Sequence, residues 1–187
     1  MAQKRKDWKG LISRFKVSDL VFLDESGCNT DMTRRYAYSL GGSRAVDSAP
    51  LSKPKNTTIL SSVQLNGTLH YTTFSDGTTV EKFKRYLGTA LLPHLNGNSV
   101  LIMDNMKSHH AKAVKNLLDS SGVRYIYLPP YSPDLNPIEK LWSKVKSFLR
   151  KFKARALNAL PNAIQRAFQT VSPSDCSGWF KSCDYLH

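Results

Sequence analysis

Acidic residues are scarce in this chain of 187 residues, which has 14 Asp and Glu against 27 Lys and Arg. The formal net charge of +13 exceeds the charge that a small domain needs for solubility. An excess of this sign favours a polyanionic partner, of which nucleic acid is the commonest. We therefore expect a nucleic-acid partner.

Long apolar runs are also missing, since none approaches the roughly 20 residues that a membrane-spanning helix needs. The basic start of the chain lacks the apolar stretch of a secretory signal. Cysteine is rare, and Cys28, Cys176 and Cys183 lack the paired short spacings of a zinc site. These absences predict a cytoplasmic protein with reduced thiols and no membrane partner.

What the sequence does contain is an alternation of strand and helix patterns. Apolar runs at 20–23 and 99–103 are typical of buried strands, and Asn66-Gly67 between two β-rich runs predicts a hairpin. The further predictions are a helix at 8–15, hairpin strands at 59–65 and 68–74, a helix capped by Thr78 and Glu81, a helix around 113–118, a strand at 124–128, a helix at 138–152 and a last helix at 156–171. This order predicts an α/β fold, with a mixed central sheet and helices on both faces.

Three carboxylates stand at the ends of these elements. Asp24 and Asp104 each follow an apolar strand, and Glu139 opens the helix after a proline-rich turn. If the two strands are parallel neighbours, both aspartates emerge at one edge of the sheet, where sites in α/β proteins usually form. Such a cluster needs counter-ions, and Mg²⁺ or Mn²⁺ take carboxylate oxygens. Two such ions about 3.5–4 Å apart suit the cleavage of a phosphodiester.

Each carboxylate also has an ordinary structural interpretation. Asp24 and Asp104 suit turns or helix caps. Glu139 would complete a capping box with Asn136 as N-cap and Pro137 as the first helical residue. Taken one at a time, these interpretations are the stronger ones. The joint pattern shifts the balance towards a metal site.

Three sequence blocks resemble those of DDE transposases. They are FLDESG at 22–27, Met103-Asp104-Asn105 with His109 five residues after the aspartate, and LPPYSPDLNPIE at 128–139. Between Asp104 and Glu139 lie 34 residues, a spacing typical of the mariner superfamily, and the nearest match is its bacterial insertion-sequence branch. Gly178-Trp179-Phe180 followed by Cys183 resembles the tail of this branch. The likeness spans residues 20–185.

The resemblance implies an RNase H-like fold in which Asp24, Asp104 and Glu139 bind two Mg²⁺ ions, replaceable by Mn²⁺. In the family, metal-activated water cleaves a phosphodiester at the transposon end, and the freed 3′-hydroxyl attacks target DNA, commonly at TA. A homodimer that pairs two transposon ends is expected, in the bacterial cytoplasm and associated with the nucleoid. The residues that match motif positions and are expected to line the site are Asn105, His109 and Asn136.

The chain departs from the family pattern at its start. Family members normally carry helix-turn-helix domains there, but fewer than twenty residues precede the first strand pattern. Three explanations stay open: a separate helix-turn-helix polypeptide recognises the ends, the chain is a fragment, or the protein no longer needs that module. The predicted division is a basic helix or linker at 1–18, a catalytic domain at 19–155 and a helical extension at 156–187.

Basic residues dominate the helix that begins near Glu139. No acidic residue occurs from Lys140 to Arg155, whereas solvated helix faces normally mix both signs. This face is therefore predicted to hold DNA phosphates beside the metal site, with a solvated face as the alternative. The predicted DNA contacts are Lys140, Lys144, Lys151 and Arg155, with Arg34, Arg35 and Lys107 as weaker candidates. The tryptophans expected in the core are Trp8, Trp142 and Trp179.

Together these features predict a transposase catalytic domain. Two alternatives stay open, namely a non-catalytic DNA-binding remnant or accessory factor, and another RNase H-like nuclease such as a structure-specific resolvase. The remnant would bind DNA in a salt-sensitive manner without metal-dependent cleavage. The resolvase would prefer branched or hybrid substrates.

Overall fold

The computed structural model describes residues 2–34, 36–48, 54, 56–154 and 156–186. Its strands are β1 (Leu20–Asn29), β2 (Asn56–Gln64), β3 (Leu69–Ser75), β4 (Val100–Met103) and β5 (Arg124–Tyr127). Its α-helices are α1 (Ala2–Ile12), α2 (Val80–Tyr86), α3 (Lys112–Ser121), α4 (Ile138–Phe152), α5 (Leu160–Gln169) and α6 (Pro173–Ser182). Within the described ranges, every helix is too short or too polar to span a bilayer.

The described strands form one sheet in the order β3-β2-β1-β4-β5. The pairs β1–β2 and β2–β3 are antiparallel, whereas β1–β4 and β4–β5 are parallel. The parallel half needs crossover connections, and α3 supplies the one between β4 and β5. The mixed sheet that the sequence predicts is confirmed, with β1 at its centre.

Asn66-Gly67 turns the chain between β2 and β3, as the sequence predicts. Gly67 has a φ of +89°, a conformation that L side chains rarely adopt. A Cβ at this position would also lie 3.2 Å from Pro173. The Asn66 side chain accepts the N–H of Thr68 at 3.0 Å. Both the turn and the close approach of α6 therefore require glycine here.

Helices cover both faces of the sheet, because consecutive residues of β1 point to opposite sides. Phe22 lies in one core with Trp142 of α4 and Phe180 of α6. Leu23, the next residue of the strand, lies in a second core with Phe83 of α2. Helices α1, α4, α5 and α6 contribute to the first core, and α2 and α3 to the second. The prediction of helices on both faces is confirmed.

The tryptophans belong to the first core, as expected. Trp8 and Trp142 are buried, and Trp179 packs half-buried against the same cluster. Because Trp8 and Ile12 are buried here, α1 packs directly on the sheet layer. The cysteines Cys28, Cys176 and Cys183 are free thiols, as the sequence predicts, and the structure buries all three.

Two local predictions are wrong. Strand β1 does not end before Asp24 but continues for five residues beyond it, because β2 pairs with it along residues 21–29. Helix α2 is capped by Thr79 rather than by Thr78 and Glu81, since Thr79 Oγ1 accepts the N–H of Lys82 at 3.3 Å. Asp24 is therefore anchored within a strand and not in a turn.

The C-terminal region differs from its prediction. A short 3-10 turn at Leu157–Ala159 precedes α5, and α6 follows as a helix that the sequence analysis did not predict. Ser172 and Asp175 form a capping box, in which each side chain accepts the other residue's N–H. Pro173 occupies the first turn, where a missing N–H is harmless. Ser-Pro-Ser-Asp at 172–175 is thus a helix-start signal that was overlooked.

Candidate active site

The parallel ladder between β1 and β4 stops where two aspartates begin. Leu23 pairs with Met103, and the next residue along each chain is Asp24 and Asp104 respectively. Asp24 stays in the sheet through its pairing with Ser61 of β2. The two aspartates therefore lie at the same edge of the sheet, as expected from parallel neighbours.

Asp24 is a buried carboxylate, 8% exposed. It accepts the Glu25 N–H at 2.8 Å and the Trp142 Nε1–H of α4 at 3.2 Å. Burial raises the pKa of Asp24 to about 7, the charges of Asp104 and Glu139 add to the rise, and the two hydrogen bonds oppose it. The ionised form of Asp24 is thus destabilised by its surroundings, and a nearby cation would stabilise this form.

Asp104 has a different electrostatic environment. Its partial burial raises the pKa, but hydrogen bonds from His109 Nδ1 at 2.8 Å and the Met106 N–H at 3.1 Å outweigh burial and lower it below the ordinary value. An ionised carboxylate only accepts hydrogen bonds, so His109 Nδ1 carries the proton. His109 is fully buried and stacks on Phe83 of α2. It lies behind Asp104 and fixes the direction of this carboxylate.

Glu139 lies in the first turn of α4, with its side chain exposed. The N-cap is Pro137, and no side chain caps this helix. Asn136 accepts the Glu139 N–H at 3.1 Å through its backbone oxygen only. The capping-box interpretation of Glu139 is therefore wrong, and its carboxylate lines the cleft described next.

Asp24, Asp104 and Glu139 line one cleft of about 440 Å³. The loop at 128–133 forms much of its wall. Asn136 lines the same cleft, and its buried Oδ1 has no hydrogen-bond partner among the described residues. An unpaired buried oxygen of this kind costs about 1–3 kcal/mol. A cation or a donor group from a bound molecule in the cleft would satisfy it.

Asn105 borders the cleft but its amide is already occupied. Nδ2 donates to the backbone oxygen of Leu128, and Oδ1 lies 3.2 Å from His110 Nε2. These contacts tie the turn after β4 to the end of β5. Asn105 therefore holds the turn that begins at Asp104 against the end of β5.

The donor set fits hard divalent cations in its chemistry. Carboxylate and amide oxygens are the ligands that Mg²⁺ and Mn²⁺ prefer, and the carboxylates around Asp24 already repel one another. Within the described ranges, no three His, Cys, Asp or Glu side chains lie close enough together to form a preformed metal site. Binding therefore requires the side chains that line the cleft to approach one another.

The predicted DNA-binding side chains have unequal surroundings. Lys144 Nζ pairs with Asp175 of α6 at 2.7 Å, so a carboxylate already compensates its charge. The exposed members of the set are Arg34, Lys107, Lys140 and Lys151. Outside the described residues lie Arg35 and Arg155.

Two basic residues that the sequence analysis did not select share a flank of α4 with Glu139. Lys146 and Arg150 follow Glu139 by seven and eleven residues, close to two and three helical turns. The Cys28 thiol in β1 has a pKa of about 11, which burial raises and the positive charge of Lys146 partly offsets. An effect of this charge on Cys28 means that Lys146 lies near β1. Counting the helical period from Glu139 would have found both residues.

Tyr131 at the rim of the cleft was also missed. Its side chain is 88% exposed, and its φ of +53° is uncommon for a residue other than glycine. Backbone strain of this kind tends to occur at functional sites. An exposed ring beside the carboxylates is suited to stack on a DNA base. The only local signal was the aromatic residue within the proline-rich block.

We expect Tyr131→Ala to weaken DNA binding by about 1–3 kcal/mol, the range for one lost base stack. The melting temperature should not fall, because the ring faces solvent. Fluorescence anisotropy with a duplex that carries an unpaired end measures the affinity. Tyr131→Phe keeps the ring and should bind as the wild type does. Equal affinities of Tyr131→Ala and wild type would rule out the stacking role.

Residues 19–160 match the family model described as DDE superfamily endonuclease. The chain therefore belongs to this family, and the resemblance noted in the sequence is confirmed. Asp24, Asp104 and Glu139 all fall within the matched range.

Two curated proteins are similar to parts of the chain. The Transposable element Tcb2 transposase of Caenorhabditis briggsae is 33% identical over 75 residues, which cover 40% of this chain and 28% of that protein. The uncharacterized protein y4pE/y4sA of Sinorhizobium fredii is 30% identical over 87 residues, 46% of this chain and 55% of that protein. The matched part therefore covers between about a quarter and about half of these relatives.

Solved structures with the same fold include those of the Mos1 mariner transposase. The pre-cleavage Mos1 transpososome matches with a TM-score of 0.80 at 18% identity, over 98% of this chain and 61% of that one. The catalytic domain of Mos1 matches with a TM-score of 0.72 at 17% identity, over 97% and 86%. At such low identity the likeness is one of fold, and it confirms the expected RNase H-like architecture.

Proposed function

We propose that this chain cleaves DNA at transposon ends and transfers the freed 3′ end into target DNA, at TA sites. The observation that carries the proposal is the meeting of Asp24, Asp104 and Glu139 in one cleft, although β1, β4 and α4 supply them separately. Basic residues of α4 begin directly after Glu139. An acidic cleft beside a basic helix suits a phosphodiester substrate held by its flanking phosphates.

Asp24, Asp104 and Glu139 are the proposed ligands of two Mg²⁺ ions, with Mn²⁺ as a substitute. When bound, such ions activate the attacking oxygen and stabilise the leaving oxygen of an in-line displacement. Trp142 orients Asp24 through Nε1–H, and His109 orients Asp104 through Nδ1–H. The structures of Mos1 paired-end complexes with Mn and with Mg support this choice of ions by analogy.

The proposed partners are transposon-end DNA, target DNA and a second copy of the chain. Two ends must be joined to one target, which a symmetric homodimer accomplishes simply, and the paired-end complexes of Mos1 offer an analogy. A separate helix-turn-helix polypeptide is proposed to recognise the end sequence. The place of action is then the bacterial nucleoid in the cytoplasm.

The decisive experiment incubates the chain with supercoiled plasmid in Mg²⁺, in Mn²⁺ and in EDTA. Nicked circles that form only with a divalent ion support the proposal. A labelled duplex that ends in a free 3′-hydroxyl then tests strand transfer, by its covalent joining to the plasmid. Cleavage in EDTA, or cleavage without any joining, contradicts metal-dependent strand transfer.

One observation favours a second candidate, a DNA-binding remnant that no longer cleaves. Among the described residues the carboxylates share a cleft without converging as metal ligands. The remnant predicts DNA binding that weakens steeply with salt, together with no nicking in either ion. The plasmid experiment, run beside a salt series of binding, separates the two functions.

A further inference from the structure

Helix α1 reaches the proline-rich loop of the cleft through Arg5. The guanidinium and Asp134 form a two-pronged ion pair, in which Nη1 donates to Oδ1 at 3.0 Å and Nη2 donates to Oδ2. Nη1 also donates to Ser132 Oγ at 3.1 Å. Trp8 and Ile12 of the same helix are buried in the core, so the backbone that carries Arg5 is held in place.

The partners of Arg5 lie on the segment that leads into α4. Ser132 is buried and lines the cleft, and Asp134 lies in the 3-10 turn Pro133–Leu135. Asn136 follows this turn directly. From the C-terminal segment, Tyr185 Oη donates to the backbone oxygen of Leu135 at 2.7 Å. The loop is therefore held by α1 and by the C-terminal segment together.

We propose that Arg5 is a positioning residue of the cleft: by holding Asp134 and Ser132, it sets the loop from which Asn136 and Glu139 enter the site. The inference rests on the proposed function, in that divalent cations are taken to bind at Glu139. In this role Arg5 touches neither the ions nor the DNA. Helix α1 then helps to position the active site and does not merely precede the catalytic domain.

Because the ion pair between Arg5 and Asp134 is partly exposed, its loss should have only a modest effect on cation affinity. The side chains of Arg5 and Asp134 are 35% and 60% exposed, and exposed pairs add little to global stability. A contact shifts a local equilibrium only by its own free energy. The loss of a two-pronged pair should therefore weaken cation binding by about threefold to tenfold. The melting temperature should stay nearly unchanged.

The test compares Arg5→Ala, Asp134→Asn and the double variant with Lys6→Ala as matched control. Lys6 follows Arg5 directly on α1, and its side chain is exposed. Its replacement removes the same charge from the same helix. Amide hydrogen exchange of residues 130–139 is measured without metal. Electron paramagnetic resonance then measures the affinity for Mn²⁺.

We expect faster exchange in 130–139, and Mn²⁺ binding weaker by about threefold to tenfold, in both single variants. The double variant should lose no more than Arg5→Ala alone, because that substitution already removes the contacts with both Asp134 and Ser132. Unchanged exchange, unchanged Mn²⁺ affinity or additive losses overturn the proposal. An equal effect of Lys6→Ala also overturns it, since net charge would then explain the result. If the loop responds as expected but the wild type neither binds Mn²⁺ nor nicks DNA, the loop-holding role of Arg5 stands and the proposed function fails.

Discussion

Replacing Asp104 by asparagine is expected to lower metal-dependent nicking by at least about 1000-fold, because a metal-binding carboxylate supplies several kcal/mol of charge stabilisation. The fold should survive, since asparagine Oδ1 still accepts the hydrogen bonds that Asp104 receives from His109 and Met106. Conversion of supercoiled to nicked plasmid measures the first effect. Circular dichroism and the melting temperature measure the second.

Asp119→Asn is the matched control for this experiment. Asp119 is an exposed carboxylate on α3 that accepts a hydrogen bond from Tyr125 outside the cleft. The control removes the same charge and should nick at the wild-type rate. Nicking by Asp104→Asn that EDTA abolishes would contradict the triad. An equal loss in both variants would mean that net charge, not the cleft, controls the reaction.

The strands and carboxylates around Asp104 could be predicted from local sequence patterns, whereas the pairing of the strands could not. Strands buried on both faces give continuous apolar runs, so β1 and β4 were recognisable locally. Asp24 and Asp104 follow those runs, and the motif spacing connects them to Glu139. The pairing of Leu23 with Met103 is different, because it depends on long-range packing. The shared edge follows from the sequence only if the two strands are parallel neighbours.

Contacts between distant parts of the chain were beyond local patterns. The apolar stripe of α4 correctly assigns Trp142 to the core, but nothing near it indicates that its N–H reaches Asp24, 118 residues earlier. Arg5 and Asp134 are 129 residues apart and look like ordinary surface charges. The fold creates these contacts by packing α1 and α4 on the same face of the sheet. The contact from Trp142 orients the carboxylate of Asp24.

Charge patterns were informative about the helix but not about single side chains. An unmixed basic run on α4 indicates one function for the face, because repulsion along it is costly without an anionic partner. Lys144, however, is compensated by Asp175, which belongs to the overlooked helix α6. Lys146 and Arg150 share the flank of Glu139 instead. The individual DNA contacts therefore stay predictions, and salt dependence measured on single variants is the way to test them.

The substitution Asp24→Asn is expected to destabilise the folded protein at acid pH and to stabilise it at alkaline pH. The folded protein holds the pKa of Asp24 at about 7, above the ordinary 3.8. Below about pH 4 both folded and unfolded chains carry the proton, so ionisation contributes nothing. Between about pH 4 and 7 the unfolded chain ionises first, and the wild type loses stability as the pH rises. Above about pH 7 the loss is complete, at about 4 kcal/mol as an upper bound.

Asparagine does not ionise, but it offers one acceptor oxygen to two donors, the Glu25 N–H and Trp142 Nε1–H. The lost hydrogen bond costs about 1–2 kcal/mol at every pH. In EDTA the variant should therefore be less stable than the wild type at pH 4, and more stable by about 2 kcal/mol at pH 8. Urea unfolding at each pH measures this difference. Mg²⁺ at pH 8 should reduce this difference in stability if Asp24 is a metal ligand as proposed, because an ion bound only by the folded wild type stabilises it. A difference that stays constant from pH 4 to pH 8 would mean that Asp24 is neither desolvated nor repelled by its neighbours.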